Sequence, residues 1–318
     1  MRRIIGVLVI GSVLALITSL LAWAAVPEKV IDERGVNEDS AAASPTYLAW
    51  SQNLPSKPNQ YNTYVRPAAG GARARVNPDG TKSYTVGIDG SMVVYDWQRR
   101  GDNRNLSFFD AATQNRPAMP DGVNTRYRET RPTLSGNWLL FTRDNVNKTS
   151  FRKSWTKVIL FNIHTDERRV LRSVENRRAY LVSDQVNGNW ATFEWCRFNF
   201  RTLDYSNCNV FRYNIATQAL VKIPNPGGQQ YAAAISHDGT IYMTRSGGPN
   251  VWHCGRHTRI VRFPIGGPAV VIAEIRTDAL TASATDETDT STTYYFQKFR
   301  CGTNTGGIYR IPNADTAT

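Results

Sequence analysis

The chain has 318 residues, 41% of them apolar and 20% charged, enough to bury a sizeable core and to exclude wholesale disorder. That length fits one large domain or two ordinary ones. A net charge of +12 favours anionic partners, namely wall polymers, acidic glycans, lipid headgroups or nucleic acid, and argues nothing about fold.

The first element is an export segment. Met1-Arg2-Arg3 is a short basic start, Ile4 to Ala25 carries no charge, and Ala22-Trp23-Ala24 offers a small-x-small cleavage site before Ala25. The apolar run is also nearly long enough to span a bilayer. Residues 1–24 therefore read as a signal peptide or, uncut, as an N-terminal membrane anchor, and both place the body outside the cytoplasm. No cysteine lies near the cleavage site to take a lipid. Residues 25–44 read as a linker, with Lys29–Glu33 available as a closing strand.

From there the chain repeats about every fifty residues. One column reads aromatic-polar-large: Trp50-Ser51-Gln52, Tyr95-Asp96-Trp97, Phe141-Thr142-Arg143, Phe193-Glu194-Trp195, then Phe296-Gln297-Lys298, with Met243-Thr244-Arg245 in the fifth place. The tight-turn pairs Asp89-Gly90, Ser135-Gly136, Asn187-Gly188 and Asp238-Gly239 precede four of the copies. A second column closes with Asp110, Asn162, Asn214, Pro264 and Pro312, and Tyr64-Val65-Arg66-Pro67 is a degenerate first copy. The runs are short, rich in β-branched and aromatic residues, and bounded by Gly, Asn, Asp or Pro. No amphipathic helical stripe follows the leader.

A unit of this length holding four strands is a propeller blade. The third would run Thr125–Leu134, Asn137–Arg143, Lys157–Asn162 and Arg168–Ser173. The expected fold is an all-β propeller of six four-stranded blades over residues 45–313, with 314–318 as a tail. Five or seven blades, or a β-sandwich with accidental self-similarity, are the alternatives.

The turns Ser236-His237-Asp238-Gly239-Thr240 and Asn77-Pro78-Asp79-Gly80-Thr81, with Tyr47-Leu48-Ala49-Trp50-Ser51, resemble the Pro-Asp-Gly repeats of TolB-type, WD40-like propellers. The resemblance covers most of residues 45–313. It implies a propeller with a binding or scaffolding role in the cell envelope, and it carries over no catalytic residue.

Four cysteines in an exported chain suggest two disulfides. In the repeat frame Cys196 ends the second strand of blade four and Cys208 begins the third, so a hairpin joins them. Cys254 and Cys301 occupy equivalent places in neighbouring blades. The expected pairs are Cys196–Cys208 and Cys254–Cys301. Oxidised cysteines cannot ligate, so His253-Cys254-x-x-His257 is not expected to hold zinc. No nucleophile elbow or phosphate-cradling loop is present, and no cofactor is expected.

Glycan cleavage usually needs two carboxylates. The strand ends offer Asp96 and Glu194, with Asp144 and Asp184 nearby in sequence. Ser51, Thr142, Thr244 and Gln297 fill the same column, which favours polar strand tips over catalysis. The basic residues crowd blade three, from Arg126 to Arg178, with Trp138, Phe151 and Trp155 among them. Two long hairpin loops carry Lys148, Phe151, Arg152, Lys153 and Trp155, and Phe198, Phe200, Arg201 and Tyr205. In a propeller they rise side by side on one face, and arginine forks beside aromatic rings suit anionic groups on a polymer.

The sequence thus points to an exported binding module for an anionic wall polymer, an acidic glycan or an envelope protein. A secreted carbohydrate-active enzyme, glycosidase or lyase, is the alternative. Nucleic acid is not an expected partner of an exported chain, and a membrane enters only through the leader.

Overall fold

The structure is a computed structural model that describes residues 25–99, 103–145, 154–175, 179–199, 204–225, 227–247, 258–275, 279–287, 291–299 and 305–317. Residues 1–24, read above as signal or anchor, lie outside it. Among the described residues there is no helix long and apolar enough to cross a membrane.

The strands in chain order begin with β1 (Glu28–Ile31). Blade one is β2 (Glu38–Ala43), β3 (Tyr47–Leu54), β4 (Lys57–Pro67) and β5 (Ala74–Arg75). Blade two is β6 (Val86–Asp89), β7 (Met92–Trp97) and β8 (Asn105–Asp110). Blade three is β9 (Arg128–Ser135), β10 (Trp138–Asn145), β11 (Trp155–Asn162) and β12 (Arg168–Glu175). Blade four is β13 (Ala179–Asn187), β14 (Trp190–Asn199), β15 (Asp204–Asn214) and β16 (Leu220–Lys222). Blade five is β17 (Gln229–Ile235), β18 (Ile241–Ser246), β19 (Thr258–Phe263) and β20 (Val270–Ile275). Blade six is β21 (Ala279–Glu287), β22 (Thr292–Phe299) and β23 (Gly306–Ile311), with β1 as its outermost strand.

The fold is the expected six-bladed all-β propeller. Its first strand completes its last blade: Glu28 pairs with Arg310 and Ile31 with Ile308. The 25–44 segment does more than link. It supplies β1 and also the innermost strand of blade one, so the propeller begins before residue 45. The expected tail is packed too: Ala314 is buried beside Tyr242 and Ile272, and its N–H donates to the Thr292 carbonyl at 2.7 Å.

Each blade is buried on both faces, which is why its central strands read as unbroken apolar runs. In β10, Leu139 and Phe141 pack with Val94 and Phe108 of blade two, while Leu140 packs with Leu181 and Phe193 of blade four. The turn at Gly136 has φ 54°, the left-handed value a two-residue hairpin needs. Near the axis the inner strands crowd, and small residues stand where they approach most closely. A Cβ on Gly87 would lie 2.6 Å from the Pro132 carbonyl oxygen and from the Thr133 Cα.

Blade two has three strands among the described residues. Asn124 stands in for a fourth by pairing with both backbone groups of Leu106, accepting from N–H at 2.8 Å and donating to C=O at 2.9 Å. Arg116 lies over the Phe109 ring and Val123 fills the core beside Leu106. The edge is thereby covered by residues 111–127 rather than by a strand.

A buried acid sits where the closing segment enters blade one. Glu38 is fully buried and accepts from the Glu33 N–H at 2.8 Å, and its Oε2 has no hydrogen-bond partner among the described residues. Burial, seconded by the charges of Glu33 and Asp32, raises its pKa from 4.5 to about 7. The folded chain then keeps a proton that the unfolded chain has already released. Stability from this group is full below pH 4.5 and falls as pH rises to about 7, beyond which it is flat. Glu38→Gln is expected to flatten the melting temperature between pH 5 and 8 and to raise it at pH 8. Unchanged pH dependence in a thermal melt would sink this assignment.

Candidate functional site

Two places carry the charged and aromatic groups singled out above: the central channel, and the face where the hairpins between the second and third strands of the blades emerge.

The inner strands bulge as they line the channel. Ser40, Arg131 and Ala232 take φ values of 49°, 54° and 52°, each beside a register shift with the neighbouring strand. These bulges turn backbone groups toward adjacent blades, and the polar column meets them. Ser51 Oγ donates to the Tyr84 carbonyl at 2.7 Å. Thr142 Oγ1 accepts from the Ser183 N–H at 2.8 Å. The Gln297 amide donates to the Glu38 carbonyl, and Glu194 accepts from the Ala232 N–H. Asp96 accepts from Tyr84 and Thr85 N–H at 2.7 and 2.9 Å, and Arg104 lies 3.4 Å from its second oxygen. Ser51, Asp96, Thr142, Glu194 and Gln297 thus stitch inner strands together, while the Thr244 hydroxyl has no hydrogen-bond partner among the described residues.

Asp96 and Glu194 are 0% and 6% exposed and hold different partners. Glu194 shares its buried site with Asp184, which lines the channel cavity with Arg131. Burial raises both carboxyl pKa values, and the neighbouring charge of Glu194 pushes Asp184 further, well above the usual carboxylate range. Burial likewise raises Asp39, against the opposing pull of Arg131. For Arg131 burial works downward, but Tyr180, Glu194, Tyr205 and Asp39 outweigh it and the guanidinium is held more firmly protonated.

The cavity among these groups is about 50 Å³, room for a few waters and not for a sugar. Beyond it Gln185 spans the channel. Its Oε1 accepts from the Ile235 N–H at 2.9 Å and the Thr285 hydroxyl at 3.1 Å, joining blades four, five and six.

The hairpin face is different. Phe198 and Tyr205 sit opposite each other on β14 and β15 with ring centroids 4.9 Å apart. Tyr180 joins them at 5.5 Å from Tyr205, a partner the hairpin sequence did not show because it comes from β13. On blade three, Trp155 meets Tyr127 edge-on at 4.7 Å, and Lys157 Nζ stands 5.0 Å from the Trp155 ring centroid. Arg126 packs on Tyr127, and Arg104 lies 4.0 Å over Tyr84. The face therefore interleaves rings with cations. Lys148, Phe151, Arg152, Lys153, Phe200 and Arg201 lie outside the described residues.

The Cys196–Cys208 disulfide is present, joining the two strands of that blade-four hairpin. Glu194 lies close to both sulfurs, a metal-like grouping, but the disulfide spends the thiolates. Cys254 and Cys301, with His253 and His257, lie outside the described residues.

No protein-family model matches the sequence, and no curated protein matches it. Solved structures do. A protein assigned as TolB from Agrobacterium tumefaciens superposes with a TM-score of 0.55 at 10% identity, over 86% of this chain and 99% of that one. Oligogalacturonate lyase from Vibrio parahaemolyticus gives 0.50 at 9%, over 93% and 99%. A puromycin-hydrolyzing peptidase from Mycobacterium tuberculosis gives 0.51 at 10%, over 93% of this chain and 55% of that one. Identities this low speak to fold alone. Six blades closed by an N-terminal strand, superposing on TolB over nearly its whole length, make this chain a TolB-like β-propeller in fold.

Proposed function

We propose that this protein is an exported, non-enzymatic binding propeller of the cell envelope that recognises an anionic polymer through the hairpin face of blades three and four. The observation that carries the reading is the ring-and-cation texture of that face: Trp155 with Tyr127 and Lys157, and Phe198 with Tyr180 and Tyr205. Rigid rings beside arginine and lysine supply contact area at low entropic cost and meet sulfate, carboxylate or phosphate groups. The net charge of +12 has the matching sign.

Replacing Arg152, Trp155, Phe200 and Arg201 together with alanine is expected to leave the fold intact, with a melting temperature within about 3 °C of wild type. It should abolish salt-sensitive retention on an immobilised acidic polymer. Retention equal to wild type would remove the face. Failure of wild type to bind any acidic polymer would move the reading to an envelope protein.

A second reading is a secreted carbohydrate-active enzyme, and one observation favours it: Asp39, Arg131, Asp184 and Glu194 gather at the channel with displaced pKa values. Such displacement often accompanies catalysis. The oligogalacturonate lyase that shares this fold is itself an enzyme on an acidic glycan. The narrow cavity and the structural ties of Glu194 weigh against it. Released product in the same polymer assay would overturn the binding reading.

A further inference from the structure

Blade two has three strands among the described residues, and this shapes its neighbour. The face of blade three that looks toward blade two carries Phe141, Ile159 and Phe161 in the shared core. Further out along the same face come Trp155, Lys157, Arg168 and Val170. Blade two has no described fourth strand there; residues 111–127 cover its edge instead and reach this face through Tyr127 and the Gly122 and Val123 carbonyls that Arg143 holds. Val170, on the outermost strand of blade three, is 49% exposed. The result is a recess of about 280 Å³ lined by Tyr127, Arg143, Trp155, Lys157, Ile159, Arg168 and Val170.

Its walls differ in chemistry. Tyr127 and Trp155 meet at 72° and form an aromatic corner. Ile159 and Val170 are the apolar floor. Arg143 is committed: its Nε donates to Glu129 at 2.8 Å and its Nη2 to the Gly122 and Val123 carbonyls at 2.9 and 2.7 Å. Lys157 and Arg168 are in no ion pair with any described residue. The recess therefore offers a ring surface, an apolar floor and two cations that pair with no described carboxylate, Lys157 resting over the Trp155 ring, at a volume just under the ~300 Å³ where ligand pockets usually begin. A single pyranose ring bearing an anionic group satisfies all three: its C–H face against the aromatic corner, and its charge against Lys157 and Arg168.

We propose that this recess is a subsite for one acidic sugar unit, carboxylated, sulfated or phosphorylated. The proposal rests on the anionic-polymer reading above and names where one unit of such a polymer would sit.

The test titrates purified protein with glucuronate, glucose 6-sulfate, glucose 6-phosphate, glucose and inorganic sulfate, read by ligand-observed NMR or calorimetry. Polymer retention is measured in parallel on the same samples. At least one acidic sugar should bind about tenfold or more tighter than glucose and than inorganic sulfate, and which of the three does so identifies the anionic group. Lys157→Gln with Arg168→Gln should bring that sugar down to the level of glucose. Trp155→Ala should weaken every sugar by about tenfold, and Trp155→Phe, which keeps a ring, by no more than about threefold. Equal affinity for acidic and neutral sugars overturns the subsite, as does a double variant that binds like wild type. If the variants lose sugar binding but keep polymer retention, the recess is a sugar site outside the polymer path and the proposal falls as stated. If wild type binds acidic sugars in the recess and retains no polymer, the function reading falls and the subsite stands.

Discussion

Deleting Glu28–Ile31 is expected to lower the melting temperature by roughly 10 °C and to make the protein aggregate at concentrations where wild type is monodisperse. The strand is only four residues long, but it is the latch of the ring. Ile31, 7% exposed, packs with Ala41, Leu48, Trp50, Tyr295 and Ile308, so its removal opens the contact between blades six and one. Losing one buried isoleucine costs about 2–4 kcal/mol, and each lost strand hydrogen bond adds about 1 kcal/mol. The deletion also leaves the whole outer edge of β23 unpaired, a template for edge-to-edge association. The Arg310–Glu28 ion pair at 2.8 Å is a different matter. Both partners are about half exposed, so Glu28→Ala alone should shift the melt by no more than about 2 °C. Calorimetry and light scattering on the two variants separate latch from ion pair. A deletion that melts like wild type would mean that the ring holds without its closing strand.

The blades were legible because both faces of every sheet are buried. Runs such as Leu139-Leu140-Phe141 must then be apolar throughout, and turn pairs must separate them. The first inner strand was not legible, for a reason set by geometry. Where inner strands of adjacent blades approach closely, small side chains are used, so the Ser40–Ala43 part of β2 looks like a linker. The same crowding puts Ala232-Ala233-Ala234 in β17 and Gly87 in β6. Propensity for extended structure is low there, and packing overrides it. Blade two's three-stranded form was equally hidden, since nothing local announces that Asn124 will imitate a strand.

The candidate site divides in the same way. The sequence places Phe198 and Tyr205 in a hairpin loop, whereas they lie opposite each other on β14 and β15, because both strands run on past the Cys196–Cys208 disulfide. Tyr180 and Tyr127 were not legible as members of the face, since they arrive from the preceding inner strand and the connection before it. The recess on blade three is bounded by the 122–127 segment that covers blade two's edge, a non-local feature that no single repeat records. The acids of the polar column were visible as residues, but their direction was not. Side-chain direction there depends on the inner-strand bulges, with positive φ at Ser40, Arg131 and Ala232, residues whose types do not call for it.

Glu194→Ala should be strongly destabilising and Glu194→Gln nearly neutral to folding, a contrast that separates a structural tie from a catalytic acid. The carboxylate accepts from the Ala232 N–H, with Ala233 beside it, and faces Arg131 across the channel. Alanine leaves two buried donors unsatisfied at about 1–3 kcal/mol each and removes charge that balances Arg131, so a fall of roughly 5–10 °C in melting temperature is expected. Glutamine keeps a carbonyl oxygen for the same donors. It also removes a carboxyl whose pKa burial has raised, as it has for the adjoining Asp184. Because raised carboxyls in the folded chain bind protons that the unfolded chain releases, they take stability away as pH climbs from the usual carboxylate range through their own higher values. The glutamine variant should therefore lose less stability than wild type on going from pH 5 to pH 8. If Glu194→Gln folds normally and polymer binding is intact, the buried pair belongs to the architecture. If it folds normally and abolishes a product-forming activity, the channel is the working site and the hairpin face is secondary.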